Sequence, residues 1–528
     1  MRVEFSGENG YTSRGSGQIL FSFTRGVTEH YNPEEPEFTE ESFGYNPLES
    51  TGREWYCRPV DELIYQEYSE RESTTWDYLA SRNLDIKVIN ACSIEEITQE
   101  DRNKDKAMAW KLLRPSVLCT VGKSLSTGAL ISLLAATFIG TLYTVICYAC
   151  FNLLSTVNCG PKSNRLQTQW AFTGAFYCIF LYIWPFTVLL FLFRPFQLKG
   201  VKGKLFLVSF LSYCLDALYR MFLRALKLSH VSISSFLTWF PLNTIFIISV
   251  CLEQYVVTNH FCPRSRKIKT LILFLQMLAT ACFTFLLGQI GQYFVYPYYV
   301  KSKNKLLLAL FFPLIGVVVK IISRICVQRL YNITHPGYSY TLLVPLYYGS
   351  AIIFRALQAD LDSLENIAIV GIIHGAAEVI ERSTMVFIDH IFYLLWKRKS
   401  APWGSFRTPR RERLMADIAI LSMMSESTAI VSVNGFIYLF KFLCLQDSSL
   451  LMILLLFAKF TLVQLVIEWF FTSVSLAIET RYQNLAVMAV WGRRWKRHIL
   501  VAVVNIIPLA LYTSEDLSKL VSGQPGDT

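Results

Sequence analysis

Between Ser124 and Tyr512 the chain is a succession of long apolar runs, broken by short and mostly basic connections. About 20 apolar residues in helical conformation match the hydrocarbon thickness of a bilayer. A backbone in lipid must satisfy its own hydrogen bonds, which helices do within one segment. The fold class expected is therefore all-α, a polytopic transmembrane helix bundle with about ten spans. The runs fall at about Leu125–Leu154, Trp170–Phe193, Leu205–Leu226, Val231–Val257, Leu271–Val300, Leu306–Leu330, Tyr338–Leu357, Ile367–Trp396, Leu414–Leu443 and Leu450–Ile478. Ile499–Tyr512 is shorter and fits an eleventh crossing, a re-entrant piece or an interfacial helix.

Composition agrees. Hydrophobic residues make up 53% of the 528 and charged residues only 17%, against about 25% in soluble domains; mean hydropathy is +0.37. The charge is unevenly placed. Residues 1–123 carry 14 Lys/Arg and 22 Asp/Glu, a net of −8, and the remainder carries +19. Residues 1–55, rich in Glu, Ser, Gly and Pro without a helical or strand period, read as a disordered acidic tail. Residues 56–123 read as a small cytoplasmic segment, with an alternating stretch from Leu84 and a capping-box pattern at Ser93–Glu96. The bundle covers 124–478, and 479–528 holds a basic interfacial segment, the short apolar helix and a C-terminal tail. Tyr45–Leu48 matches a short membrane-sorting pattern, although a turn in a flexible tail suits it better.

Met1–Gly10 is polar and no short apolar core follows, so the first apolar run is expected to act as the targeting signal. Basic residues cluster in alternate connections, for example Arg194–Lys204, Arg264–Lys269, Lys397–Arg413 and Arg481–Arg497, while the intervening loops keep few. The positive-inside rule then places the N terminus in the cytoplasm. Those basic loops suit anionic lipid headgroups and not nucleic acid; the bilayer itself is the main partner, with the tail free to recruit a cytosolic one. Whether the membrane is the plasma membrane or an endomembrane is not encoded here. The same topology puts the Asn332–Thr334 sequon inside, unused, and puts Cys159 and Cys444 outside, as a disulfide or as two thiols.

The eighth run carries an acidic stripe. His374, Glu378 and Glu381 lie four and seven residues apart and project from nearly one face of a helix, and Asp389 is about 60° round from His374. His390 follows at once. The ninth run adds Asp417 and Glu426, the latter among hydroxyl residues; the tenth adds Lys459, Gln464 and Glu468. Charges at such depth must face protein, a cavity or each other. One reading makes His374, Glu378, Glu381, Glu426 and Glu468 a binding or relay site for a small ion or solute, with Arg382 as counter-ion. The other makes them a structural network neutralised by Arg382. Asp216 and Arg220 read as a structural i,i+4 ion pair, and Lys320 and Arg324 as residues that snorkel to the headgroups. Gly371–Gly375 invites close helix approach, and Pro185, Pro241, Pro313 and Pro345 fall inside runs.

No His-Glu-x-x-His, phosphate loop, nucleophile elbow or dinucleotide fingerprint occurs, so no metal, cofactor or catalytic set is expected. The leading function is a transporter or channel. A non-transporting scaffold or receptor with a partner-binding tail comes second, and a membrane-embedded lipid-modifying enzyme third.

Overall fold

A computed structural model describes residues 117–154, 164–193, 197–225, 235–261, 267–295, 305–328, 330, 334, 336–361, 363–397, 409–445, 449–481, 485 and 487–522. The acidic tail, the segment up to residue 116, the Tyr45–Leu48 pattern, Cys159 and Asn332 lie outside the described residues, as do the side chains of His390 and Cys444. Among the described residues there is no strand. The chain is a bundle of α-helical rods, as the apolar run lengths require.

We number the helices α1 (Val117–Leu134), α2 (Thr141–Leu154), α3 (Asn164–Leu192), α4 (Lys202–Ala225), α5 (Ser235–Phe261), α6 (Lys267–Ile290), α7 (Lys305–Gln328), α8 (Val344–Ala359), α9 (Leu364–Lys397), α10 (Pro409–Phe440), α11 (Leu450–Arg481) and α12 (Val487–Ser522). α1 and α2 form one rod, joined through a π-helical stretch at Ala135–Gly140. A short helical turn at Pro336–Ser339 and a 3₁₀ turn at Tyr340–Leu343 lead into α8. Among the described residues, nine helices are long and apolar enough to cross a membrane. The two remaining rods are α3 and α9. The described apolar part of α3 is only Cys178–Leu192. α9 has 34 residues, about 51 Å at 1.5 Å per residue, but carries the acidic stripe.

The short apolar stretch Ile499–Tyr512 turns out to be part of α12, a 36-residue helix whose apolar portion Val490–Ser514 is long enough to span. Trp491 and Arg497, within the segment expected to be interfacial, are buried against the bundle, whereas Trp495 stays exposed. Pro345 proves to be at the start of α8, where its missing N–H has no helical partner to lose, while Pro185, Pro241 and Pro313 do lie inside helices.

α10 is the axis. Residues 414–434 are buried without a break, and the helix packs against α2, α8, α11, α12 and the π-helical stretch. Its sequence explains this position, since Ser422, Ser425, Ser427, Thr428 and Ser432 keep its surface small. Glycines at its contacts continue the theme, Gly140 on the π-helical stretch and Gly435 on α10 itself. A methyl group at Gly140 would lie 2.9 Å from Val431 Cβ, and one at Gly435 2.7 Å from Thr144 Oγ1. The glycine pair of α9 faces neighbours too, for a methyl at Gly371 would be 3.1 Å from Gln358 Nε2 and one at Gly375 would overlap the Phe471 ring on α11. The outer surface is apolar in turn. α11 exposes Leu451, Leu455, Leu462 and Phe470, and α9 exposes Ile372, Ile380 and Phe387. Such a surface suits lipid as its solvent. The chain is a multi-pass membrane protein in composition and architecture.

Gly375→Val should drive α9 from α11 and destabilise the fold by about 1–3 kcal/mol, the usual penalty of overpacking. Gly122→Ala, which meets nothing within 4 Å, should leave the unfolding temperature in detergent unchanged or slightly raised.

Candidate functional site: a buried charge network

The charged side chains meet where α8, α9, α10 and α11 converge, with α7 packed against α8 and α9. The centre is Arg355 on α8, a lone charge in an otherwise apolar helix. Its Nη2 donates to Glu468 Oε2 at 2.6 Å and to Glu426 Oε2 at 3.0 Å, and its Nε reaches the same Glu426 oxygen at 3.2 Å. Nη1 donates to Gln358 Oε1 at 2.8 Å, and Gln358 Nε2 donates in turn to the Ile367 carbonyl at 2.7 Å. One guanidinium thus ties α8 to α10 and α11, while Gln358 ties it to the start of α9. Arginine suits this because its planar fork offers five donors and keeps its charge when buried. Thr472 Oγ1 completes Glu468 at 3.2 Å.

A second clamp lies along α9. Arg382 Nε and Nη2 each donate at 2.7 Å to the two oxygens of Glu479 on α11, a bidentate fork. Its Nη1 is 3.7 Å from Glu378 one turn back, and Glu378 Oε1 accepts from Ser422 Oγ at 2.7 Å. A third pair closes the side toward α7. Arg324 Nη2 meets Asp389 Oδ1 at 3.0 Å, and Gln328 Nε2 donates to the other oxygen at 2.5 Å. Lys320 lies over the Tyr347 ring at 4.9 Å. The expectation that Lys320 and Arg324 reach the headgroups is overturned, since both are buried, Arg324 at 1% exposure. The carboxylates on α9 draw them inward, because an unpaired acid at that depth costs more than bending a cation away from water.

Between these clamps lies a small pocket of about 30 Å³, room for one or two waters or a small dehydrated ion, with apolar walls that include Phe312, Leu314 and Val317. Lys320, His374, Glu378, Glu381 and Glu426 line it. The His374 ring stacks on Phe354, centroids 3.9 Å apart, and its Nε2 stands 3.5 Å from Glu426 Oε1. The structure therefore brings His374, Glu378, Glu381 and Glu426 around one space. Glu468 lies across Arg355 from it, and Arg382 is held by Glu479. Asp216 and Arg220 make their pair at 2.6 Å on α4, on a different part of the bundle. Lys459 is exposed on α11, whereas Gln464 is buried. Asp417 accepts from His498 on α12 at 3.1 Å, in a separate cluster where Arg497 stacks 3.3 Å over the Tyr338 ring.

Arg355, Gln358 and Glu479 are absent from the sequence reading of the site. A signal existed for the first, a single arginine amid the apolar run Tyr338–Leu357, which in lipid marks an interior partner. Glu479 sits one residue beyond the apolar run, where a charge is ordinarily a flank. Among the described residues no group of three His, Cys, Asp or Glu side chains is placed to hold a metal ion. Comparison with known protein families, characterised proteins and solved structures gives no match.

Arg355→Met should destabilise the fold by about 3–5 kcal/mol, because Glu426 and Glu468 would remain buried without their cation. Adding Glu426→Gln and Glu468→Gln should restore much of that loss. Thermal unfolding of the single, double and triple variants measures the coupling.

Proposed function

We propose that the chain is a transporter or channel for a small cation, coupled to protons through the pocket at His374, Glu378, Glu381 and Glu426. The observation that supports this reading is a charge imbalance. Glu378, Glu381, Asp389, Glu426, Glu468 and Glu479 share the network with Lys320, Arg324, Arg355 and Arg382, six carboxylates against four permanent cations. Two formal negative charges in a low-dielectric interior call for protons, for a charged His374 or for a bound cation. The pocket lies where such a species would sit. Glu381 is the acid best suited to exchange it, since it lines the pocket outside both arginine clamps, with Lys320 and Arg324 as its cationic neighbours. Glu426 and Glu468, held by Arg355, and Glu479, held by Arg382, would position the helices around it.

The completeness of those two clamps favours a second reading, a non-transporting membrane scaffold or receptor in which the charges fix helix register. The two readings differ in what they ask of Glu381.

Protein reconstituted in liposomes should pass protons or a small monovalent cation, with Glu381→Gln reducing flux at least tenfold while its chromatographic profile and unfolding temperature stay close to the parent. Unchanged flux in that variant, or none from folded parent protein across a panel of cations, would sink the transport reading in favour of the scaffold.

A further inference from the structure

A much larger cavity than this pocket lies elsewhere in the bundle. It has a volume of about 430 Å³ and is walled by α3, α4, α5, α6, α8 and α12. That size falls within the range of small-molecule sites, roughly 300–1,000 Å³. Its walls are mostly apolar, among them Val188, Phe246, Leu278 and Ile353. Ile247 and Leu286 line it and are also 39% and 52% exposed, so the cavity reaches the apolar outer surface between α5 and α6. Its inner wall is polar. Asp216 and Arg220 face it as a closed pair, 2.6 Å apart, and cancel each other. Glu253 faces it as well, with 0% exposure. One Glu253 oxygen accepts from Ser209 Oγ at 2.7 Å, whereas Oε2 has no hydrogen-bond partner among the described residues, nor does the side-chain oxygen of neighbouring Gln254.

A buried carboxylate oxygen and a buried amide oxygen on consecutive residues of one cavity wall, neither with a donor among the described residues, are costly unless something donates to them. An apolar chamber reached from the lipid side supplies the rest of the description. We infer that this cavity binds an amphipathic amine, its hydrocarbon body along Phe246 and Leu278 and its ammonium head donating to Glu253 Oε2 and the Gln254 oxygen. An ammonium is favoured over a hydroxyl because it brings three donors and the positive charge that Glu253 lacks. A carboxylate head is disfavoured, since it would place a second anion beside Glu253. The site is separate from the charge network, and its test reads binding instead of flux, so it stands or falls independently of transport.

The experiment measures saturable binding of radiolabelled dodecylamine to the full chain in lipid nanodiscs, with protein-free nanodiscs subtracted. Unlabelled dodecylamine, dodecan-1-ol and dodecanoate serve as competitors of equal chain length. The amine should displace at a concentration roughly tenfold below the alcohol, the ratio expected for one charge-assisted hydrogen bond, and dodecanoate should be weakest. Glu253→Gln should remove the preference for the amine, and Ala281→Trp, which fills the chamber from α6, should abolish saturable binding. Three competitors of equal potency, an amine preference that survives Glu253→Gln, or binding indifferent to Ala281→Trp would each overturn the inference. The competitor series on the parent protein decides the question even where a variant fails to fold.

Discussion

The Arg355 guanidinium holds three helices at one point. α8, α10 and α11 converge on it through Glu426 and Glu468, and Gln358 carries the same link to α9. In lipid no hydrophobic driving force separates one apolar helix face from another, so register between helices must come from packing shape and polar contacts. Here the two act together. Small residues on α10, Gly435 among them, with Gly140 and Gly375 on other segments, allow close approach. The arginine clamps then decide the depth at which each helix stops sliding. Arg382 with Glu479 and Arg324 with Asp389 repeat the device on either side.

The clamps also shape what remains. Once Arg355 and Arg382 are committed, Lys320, His374, Glu378, Glu381 and Glu426 remain around one small pocket. α8 separates this pocket from the large apolar cavity, and Ser350 lines both. The bundle thus has two spaces on the two sides of one helix, the smaller one edged by several ionisable groups.

Much of this was legible in the residues. The helical class followed from run length, and the spacing of His374, Glu378 and Glu381 placed three groups on one face of α9, where the structure has them lining one pocket. Arg355 went unread because one arginine hardly alters the hydropathy of a 20-residue run. Lys320 and Arg324 were read outward because a cation near a helix end ordinarily finds water, and only the position of Asp389 on another helix turns them inward. Glu253 drew no notice, being a single acid in a long run with nothing near it in sequence to suggest a cavity. The length of α12 is hidden because its basic first turns, Arg493–Arg497, resemble a loop until His498 is seen packed between Tyr340 and Trp491.

By itself the sequence determined the solvent and the class of fold, because bilayer thickness and the need to pair every backbone group leave long apolar runs no other stable form. It also determined which residues carry charge at depth, since that requires only their place within a run. The tertiary structure alone decided which cation meets which acid, and so where unbalanced charge and empty volume lie. Those depend on the rotation and depth of helices far apart in the chain, set by packing contacts that no local pattern of residues encodes.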